Sequence, residues 1–208
     1  MKVYFIGDSI SIHYHPHLKS FLPETVDYGR KEGEKEAFMD LDDPRGANGG
    51  DSSKVLEFLR ERALAGDIKV DLLFFNCGLH DIKTDPITGK KQVGPEEYAE
   101  NLKKIVAVIQ ELGTAPVWIS TTPCDERIHN FRRKDFFRYG EDVKRYNTIA
   151  QGIMHERKVP VLDLYGFTVS LEEELFCDHI HFHIPVRKLQ AAFIAGWISS
   201  QGKERRIL

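Results

Sequence analysis

A chain of 208 residues, 41% hydrophobic and 29% charged, has an ordinary globular composition and enough length to bury one sizeable core. Its formal net charge of -3 gives no general pull toward nucleic acid or an anionic membrane. No stretch approaches the ~20 continuous apolar residues of a spanning helix, and the scattered Cys77, Cys124 and Cys177 do not describe a disulfide framework.

The first apolar run, Lys2 to Ile6, reads as a buried strand and closes on Gly7-Asp8-Ser9. It is too short for a secretory leader, so a cytoplasmic location is expected. His13, His15 and His17 surround Pro16 just beyond; they read as the start of the first helix and one wall of a pocket. Thr25 to Tyr28 is a weaker strand. The irregular connection from Gly29 to Gly50 ends in Gly46-Ala47-Asn48-Gly49-Gly50-Asp51-Ser52-Ser53. A helix follows, with Val55, Leu56, Leu59 and Ala63 on one face.

Val70 to Asn76 is the second clear strand, and Gly78-Leu79-His80-Asp81 comes directly after it. A second irregular connection runs to Gly94. Gly94-Pro95-Glu96-Glu97 opens a helix carrying Tyr98, Leu102, Ile105, Val106, Ile109 and Leu112, and Gly113 stops it. Pro116 to Ser120 is a strand, and Thr121 to Gly140 a third irregular connection. Val143, Tyr146, Ala150 and Ile153 mark another helix, Val159 to Asp163 another strand. Asp178-His179-Ile180-His181 precedes a last helix from Pro185 to near Gly202. Short apolar strands alternating with helices predict a doubly wound α/β domain with a parallel sheet covered on both faces. In such sheets ligands meet the carboxyl ends of the strands, where Ser9, His80 and Asp178 all fall.

Each chemical signal has a plain alternative. Ser9 is placed to project a hydroxyl at a helix N-terminus, but Asp8 and Ser9 are also ordinary capping residues. Asp178 and His181, three apart, can pair as carboxylate and imidazole, yet a His-rich surface turn explains them too. The Gly50 and Gly78 turns can offer oxyanion donors or be turns alone. Cysteines and histidines near one another raise a zinc site, but no Cys-x-x-Cys or paired-His spacing supports it. Arg127, Arg132, Arg133, Lys134 and Arg138, interleaved with Phe131, Phe136, Phe137 and Tyr139, read either as a lid greeting an anionic or sugar-like substrate or as a solvated loop. The turns Leu41 to Arg45 and Asp85 to Lys91 carry no assigned chemistry.

Taken in order, Gly7-Asp8-Ser9-Ile10, Gly50-Asp51-Ser52-Ser53, Gly78-Leu79-His80-Asp81 and Asp178-x-x-His181 resemble the four blocks of the SGNH (GDSL-type) hydrolases across nearly the whole chain. That resemblance implies one domain over 1–208. It implies a three-layer α/β/α flavodoxin-like sandwich with a five-stranded parallel sheet. It also implies a triad of Ser9, His181 and Asp178, and oxyanion donors from the Ser9 and Gly50 amides. The third block departs from the family, with His80 where asparagine is usual. His80 is expected to be a side-chain oxyanion donor; a neutral imidazole has one donor and one acceptor, so it donates in the right tautomer or when protonated.

Asp8, Asn48, Arg127 and Phe182 are expected to line the substrate site. The expected activity is hydrolysis of short-acyl esters, with O-acetyl groups on carbohydrates favoured by the polar, basic and aromatic rim. No cofactor or metal is expected, and the expected partner is a small-molecule or carbohydrate ester rather than nucleic acid or membrane. Loop 121–140 offers an oligomer contact. The competing classes are a non-catalytic binding protein on the same scaffold and a flavodoxin-like nucleotide binder using the Gly-Asp-Ser turn as a phosphate cradle.

Overall fold

The computed structural model describes residues 1–171 and 174–204. Five parallel strands form one sheet: β1 (Lys2–Ile6), β2 (Asp27–Arg30), β3 (Leu72–Phe75), β4 (Ala115–Ile119) and β5 (Val161–Leu162). Their spatial order is β2-β1-β3-β4-β5. All four residues of β3 are buried, as a central strand covered on both faces requires. Register pairs Phe5 with Phe74 across β1 and β3, and their rings stack at 4.4 Å.

Helices cover both faces. On one, α1 (Ser9–Phe21) and α7 (Leu164–Val169) pack on α8 (Ile184–Glu204). On the other, α3 (Ser52–Ala65), α4 (Pro95–Glu111) and α6 (Gly140–Glu156) pack in series. This is the expected three-layer sandwich. The long helices lie where their periodic apolar faces predict. Two short ones, α2 (Glu34–Met39) and α5 (Glu126–Arg132), sit inside connections expected to be irregular.

The strand order reverses direction at β1, because the chain leaves it for β2 on one side and reaches β3 on the other. That switch point leaves a crevice beyond the carboxyl ends of β1 and β3. Gly7, Asp8 and Ser9 follow β1 directly, and Gly78 to Asp81 follow β3. Two glycines make the approach possible. A Cβ on Gly7 would stand 2.9 Å from the Ser11 Cβ, so the turn into α1 has no room for one. Gly78 has φ +151°, and a Cβ there would lie 2.2 Å from Thr121 Oγ1.

Candidate active site

Ser9 is the first residue of α1, placed by Asp8 at the N-cap. The Asp8 carboxylate accepts from the Ile10 N–H at 3.0 Å, and the Asp8 carbonyl accepts from the Ser11 hydroxyl at 2.7 Å. Asp8 is buried and its pKa is raised, chiefly by that burial. In the structure it serves as the helix cap, where the sequence reading expected it to line the substrate site. The Ser9 N–H, at the opening of the helix, has no hydrogen-bond acceptor among the described residues and points from the positive end of the helix dipole.

The opposite end of the chain supplies the candidate base. Phe176 and Phe182 bridge as short antiparallel neighbours, and Cys177 N–H donates to the His181 carbonyl at 2.9 Å, closing a tight loop. Within it, Asp178 Oδ1 accepts the backbone N–H groups of Ile180 and His181, each at 2.7 Å. Its other oxygen, Oδ2, lies 2.7 Å from His181 Nδ1. Burial pushes the Asp178 carboxyl up, but the His181 ring and the two backbone donors outweigh it and hold the group well below the usual carboxylate range. His181 Nε2 lies 2.9 Å from Ser9 Oγ. The three groups thus form one continuous relay, with Ser9 and His181 each 5% exposed.

His13, one helical turn beyond Ser9, packs edge-on against the His181 ring at 4.8 Å. Burial, then the nearby His181 and Arg187, push its pKa down to about 3, so it stands neutral beside the base. His15 instead bonds the Tyr28 hydroxyl at 2.7 Å, away from the triad.

His80 is 3% exposed in the turn after β3. Burial and the surrounding cations Lys83, Arg138 and Lys54, with His181, hold its pKa well below 6.5. This favours the neutral imidazole, which has one N–H to give. The following Asp81 anchors this turn to α3 by accepting the Ser52 N–H at 2.9 Å.

Other expected site residues are placed differently. The Gly50 N–H donates to Asn48 Oδ1 at 2.9 Å, so this amide is already engaged instead of free for an oxyanion. Asn48 is committed at both ends, its Nδ2 donating to the Leu41 carbonyl at 2.9 Å. Both bonds hold the shape of its own loop, where the sequence reading expected Asn48 to line the substrate site. Phe182 is 1% exposed and stacks on Phe176 at 5.1 Å, a core position beneath the catalytic loop. Arg127 lies exposed on α5, with no contact to the triad among the described residues.

Two features carried no local signal. Asp42, read as part of a surface turn, has a side chain only 13% exposed and accepts from Arg138 at 3.2 Å and Arg133 at 3.1 Å. Arg138 is fully buried and donates from Nε to the Leu79 carbonyl at 2.8 Å, beside His80. The Asp42–Arg138 ion pair and the hydrogen bond to the Leu79 carbonyl together tie the three irregular connections to one another. His129 Nδ1 and His179 Nδ1 lie 2.7 Å apart, strapping α5 to the loop that carries Asp178. Among the described residues no group of three or more His, Cys, Asp or Glu could hold a metal ion, and no helix is long and apolar enough to cross a membrane.

Comparisons with known proteins agree with this fold. A carbohydrate acetylesterase from Sinorhizobium meliloti superposes with a TM-score of 0.66 at 17% identity, covering 96% of this chain and 99% of that one. A lipase/acylhydrolase from Enterococcus faecalis gives 0.66 at 19% identity, covering 96% of each chain. An acetyl xylan esterase gives 0.65 at 11% identity, covering 95% of this chain and 100% of the other. A search of curated proteins gave no significant match. The family model for GDSL-like lipases and acylhydrolases matches residues 5–183, from β1 through the loop that carries Asp178 and His181, and the chain belongs to that family.

Proposed function

We propose that this protein is a serine esterase that removes short acyl groups, with O-acetyl groups on carbohydrates as the favoured substrate. The observation that carries this reading is the unbroken relay from Ser9 Oγ through His181 to Asp178, at 2.9 and 2.7 Å. Ser9 attacks the ester carbonyl while His181 Nε2 takes its proton. Asp178 fixes the His181 tautomer and stabilises the imidazolium that forms. His181 then returns the proton to the leaving alcohol, and water releases the acyl-enzyme through the same base.

The oxyanion is held by the Ser9 N–H and by the neutral His80 N–H. The Gly50 N–H contributes only where the oxyanion takes it from, or shares it with, Asn48 Oδ1. The low exposure of Ser9 favours a small acyl group over a long chain. The acetylesterase names among the structural neighbours, taken as analogy, point the same way.

Hydrolysis of 4-nitrophenyl esters from acetate upward, alongside acetylated monosaccharides, tests this reading. The expected result is a maximum of kcat/KM at acetate or propionate and release of acetate from the sugars. A maximum at long chains, or no hydrolysis of any ester, contradicts it.

A further inference from the structure

A cleft of about 610 Å³ opens beside the His80 turn, lined among others by Lys83, Arg133, Phe136, Asp42, Asp85 and Lys90. Three cations converge on the Phe136 ring: Lys83 Nζ at 4.5 Å, and the guanidinium carbons of Arg133 at 4.8 Å and Arg138 at 4.9 Å. The carboxylate of Asp42 stands among them, and both arginines use it.

The other carboxylates of the cleft are engaged nearby. Asp135 holds Arg133 at 2.6 Å, and Asp43 pairs with Arg45 at 2.5 Å. Asp40 accepts the Asp42 N–H at 3.0 Å, and Asp85 accepts from Ile87 and Thr88. Lys83 differs. Its ammonium donates to one backbone carbonyl, that of Asp42, at 2.8 Å, and no carboxylate lies within ion-pair distance among the described residues. Two of its three N–H donors remain to be used. Burial, then the charge of Arg138, push its pKa down to about 8, with Arg133 adding to them against Asp42 and Asp135. An anion in the cleft would relieve that repulsion. Lys83 is bonded through its own N–H to the His80 carbonyl at 3.2 Å, so the cleft and the oxyanion wall share one turn.

We propose that this cleft is a subsite for an anionic group on the alcohol part of the ester, with Lys83 as its binding cation. The proposal rests on the esterase reading above and sharpens its substrate class to acylated acidic sugars. A carboxylate and a phosphate share the required chemistry. A charge-assisted hydrogen bond in a partly buried setting favours the anionic substrate over its neutral analogue by about tenfold or more.

The test compares kcat/KM for acetylated methyl glucuronoside, acetylated glucose 6-phosphate and acetylated methyl glucoside. At least one anionic substrate is expected to exceed the neutral one by about tenfold, and the larger ratio identifies the anion. Lys83→Met is expected to bring that ratio close to one, and Lys83→Arg to keep it. Using a ratio cancels any effect of the change on the neighbouring His80. Calorimetric binding of glucuronate and of glucose 6-phosphate to both variants gives a readout independent of turnover, so a failure of the esterase reading is told apart from a failure of the subsite. Equal kcat/KM for all three substrates in the wild type overturns the proposal. So does an anion preference, or anion binding, that survives Lys83→Met.

Discussion

His181 Nε2 stands 2.9 Å from Ser9 Oγ, although 172 residues separate them in the chain. The parallel sheet closes that gap. Ser9 leaves β1 at the switch point of the strand order, and the loop before α8 returns to the same edge because α8 packs on α1. The bond is thus a consequence of the fold, and its energetics rest on Asp178.

Asp178→Asn is expected to lower kcat by about 10⁴-fold with little change in fold stability. An amide at this position no longer selects the His181 tautomer with the proton on Nδ1. Steady-state kinetics with 4-nitrophenyl acetate, alongside a denaturation midpoint, checks both parts. A loss below about tenfold contradicts the role given to Asp178.

His80→Ala is expected to lower kcat by about 100- to 1000-fold with KM nearly unchanged, because it removes a donor aimed at the transition state. His80→Asn, which always has an N–H to offer, is expected to recover most of the loss. The pH profile gives a second check. Asp178 stays ionised far below the neutral range, while His80 and His13 are held neutral. Neither His80 nor His13 therefore adds a proton-linked step to the acid limb of log kcat/KM; a limb with a slope of two contradicts the neutral His80.

Asp81 provides a stability prediction. Burial pushes its pKa up to about 7, and its Oδ2 is a buried atom with no hydrogen-bond partner. The folded state therefore favours the protonated carboxyl more than the unfolded chain does. The resulting stabilisation is complete below the unfolded value of 3.8 and is lost as pH rises toward about 7. Urea denaturation across this window is expected to show Asp81→Asn gaining stability relative to wild type by a few kcal/mol as pH increases. A constant difference between the two proteins contradicts this.

Arg138→Met is expected to destabilise the fold by about 3 kcal/mol, because it breaks a buried ion pair and strips the Leu79 carbonyl of its donor. Urea titration measures the loss. A change below about 1 kcal/mol, typical of an exposed charge, contradicts the structural weight given to the Asp42–Arg138 pair.

The sheet and the long helices were legible in the sequence because each rests on local pattern, whereas Ser9, His181 and Asp178 were singled out only by the order of the four motif blocks. Apolar runs mark β1 and β3, the period of α4 spans its whole length, and Asp178 and His181 are three residues apart. Residues whose roles depend on distant partners were not. Asp42 lies in a run of Asp, Pro and Gly that signals a surface turn, yet its partner Arg138 is 96 positions away. Asn48 and Gly50 read as site residues, but a side chain two residues back can take a backbone N–H, and nothing in the letters shows that it does. Asp8 shows the reverse: capping chemistry alone describes it correctly. Arg138 was counted with a basic run, although burial and a single carboxylate set it apart from Arg127 and Arg132.

Reaction with a fluorophosphonate ester, followed by intact-mass and peptide mass spectrometry, tests the central claim most directly. One adduct per chain on Ser9 is expected, absent in Ser9→Ala and strongly slowed in His181→Ala. A folded protein that takes no label, or takes it at another residue, contradicts Ser9 as the nucleophile.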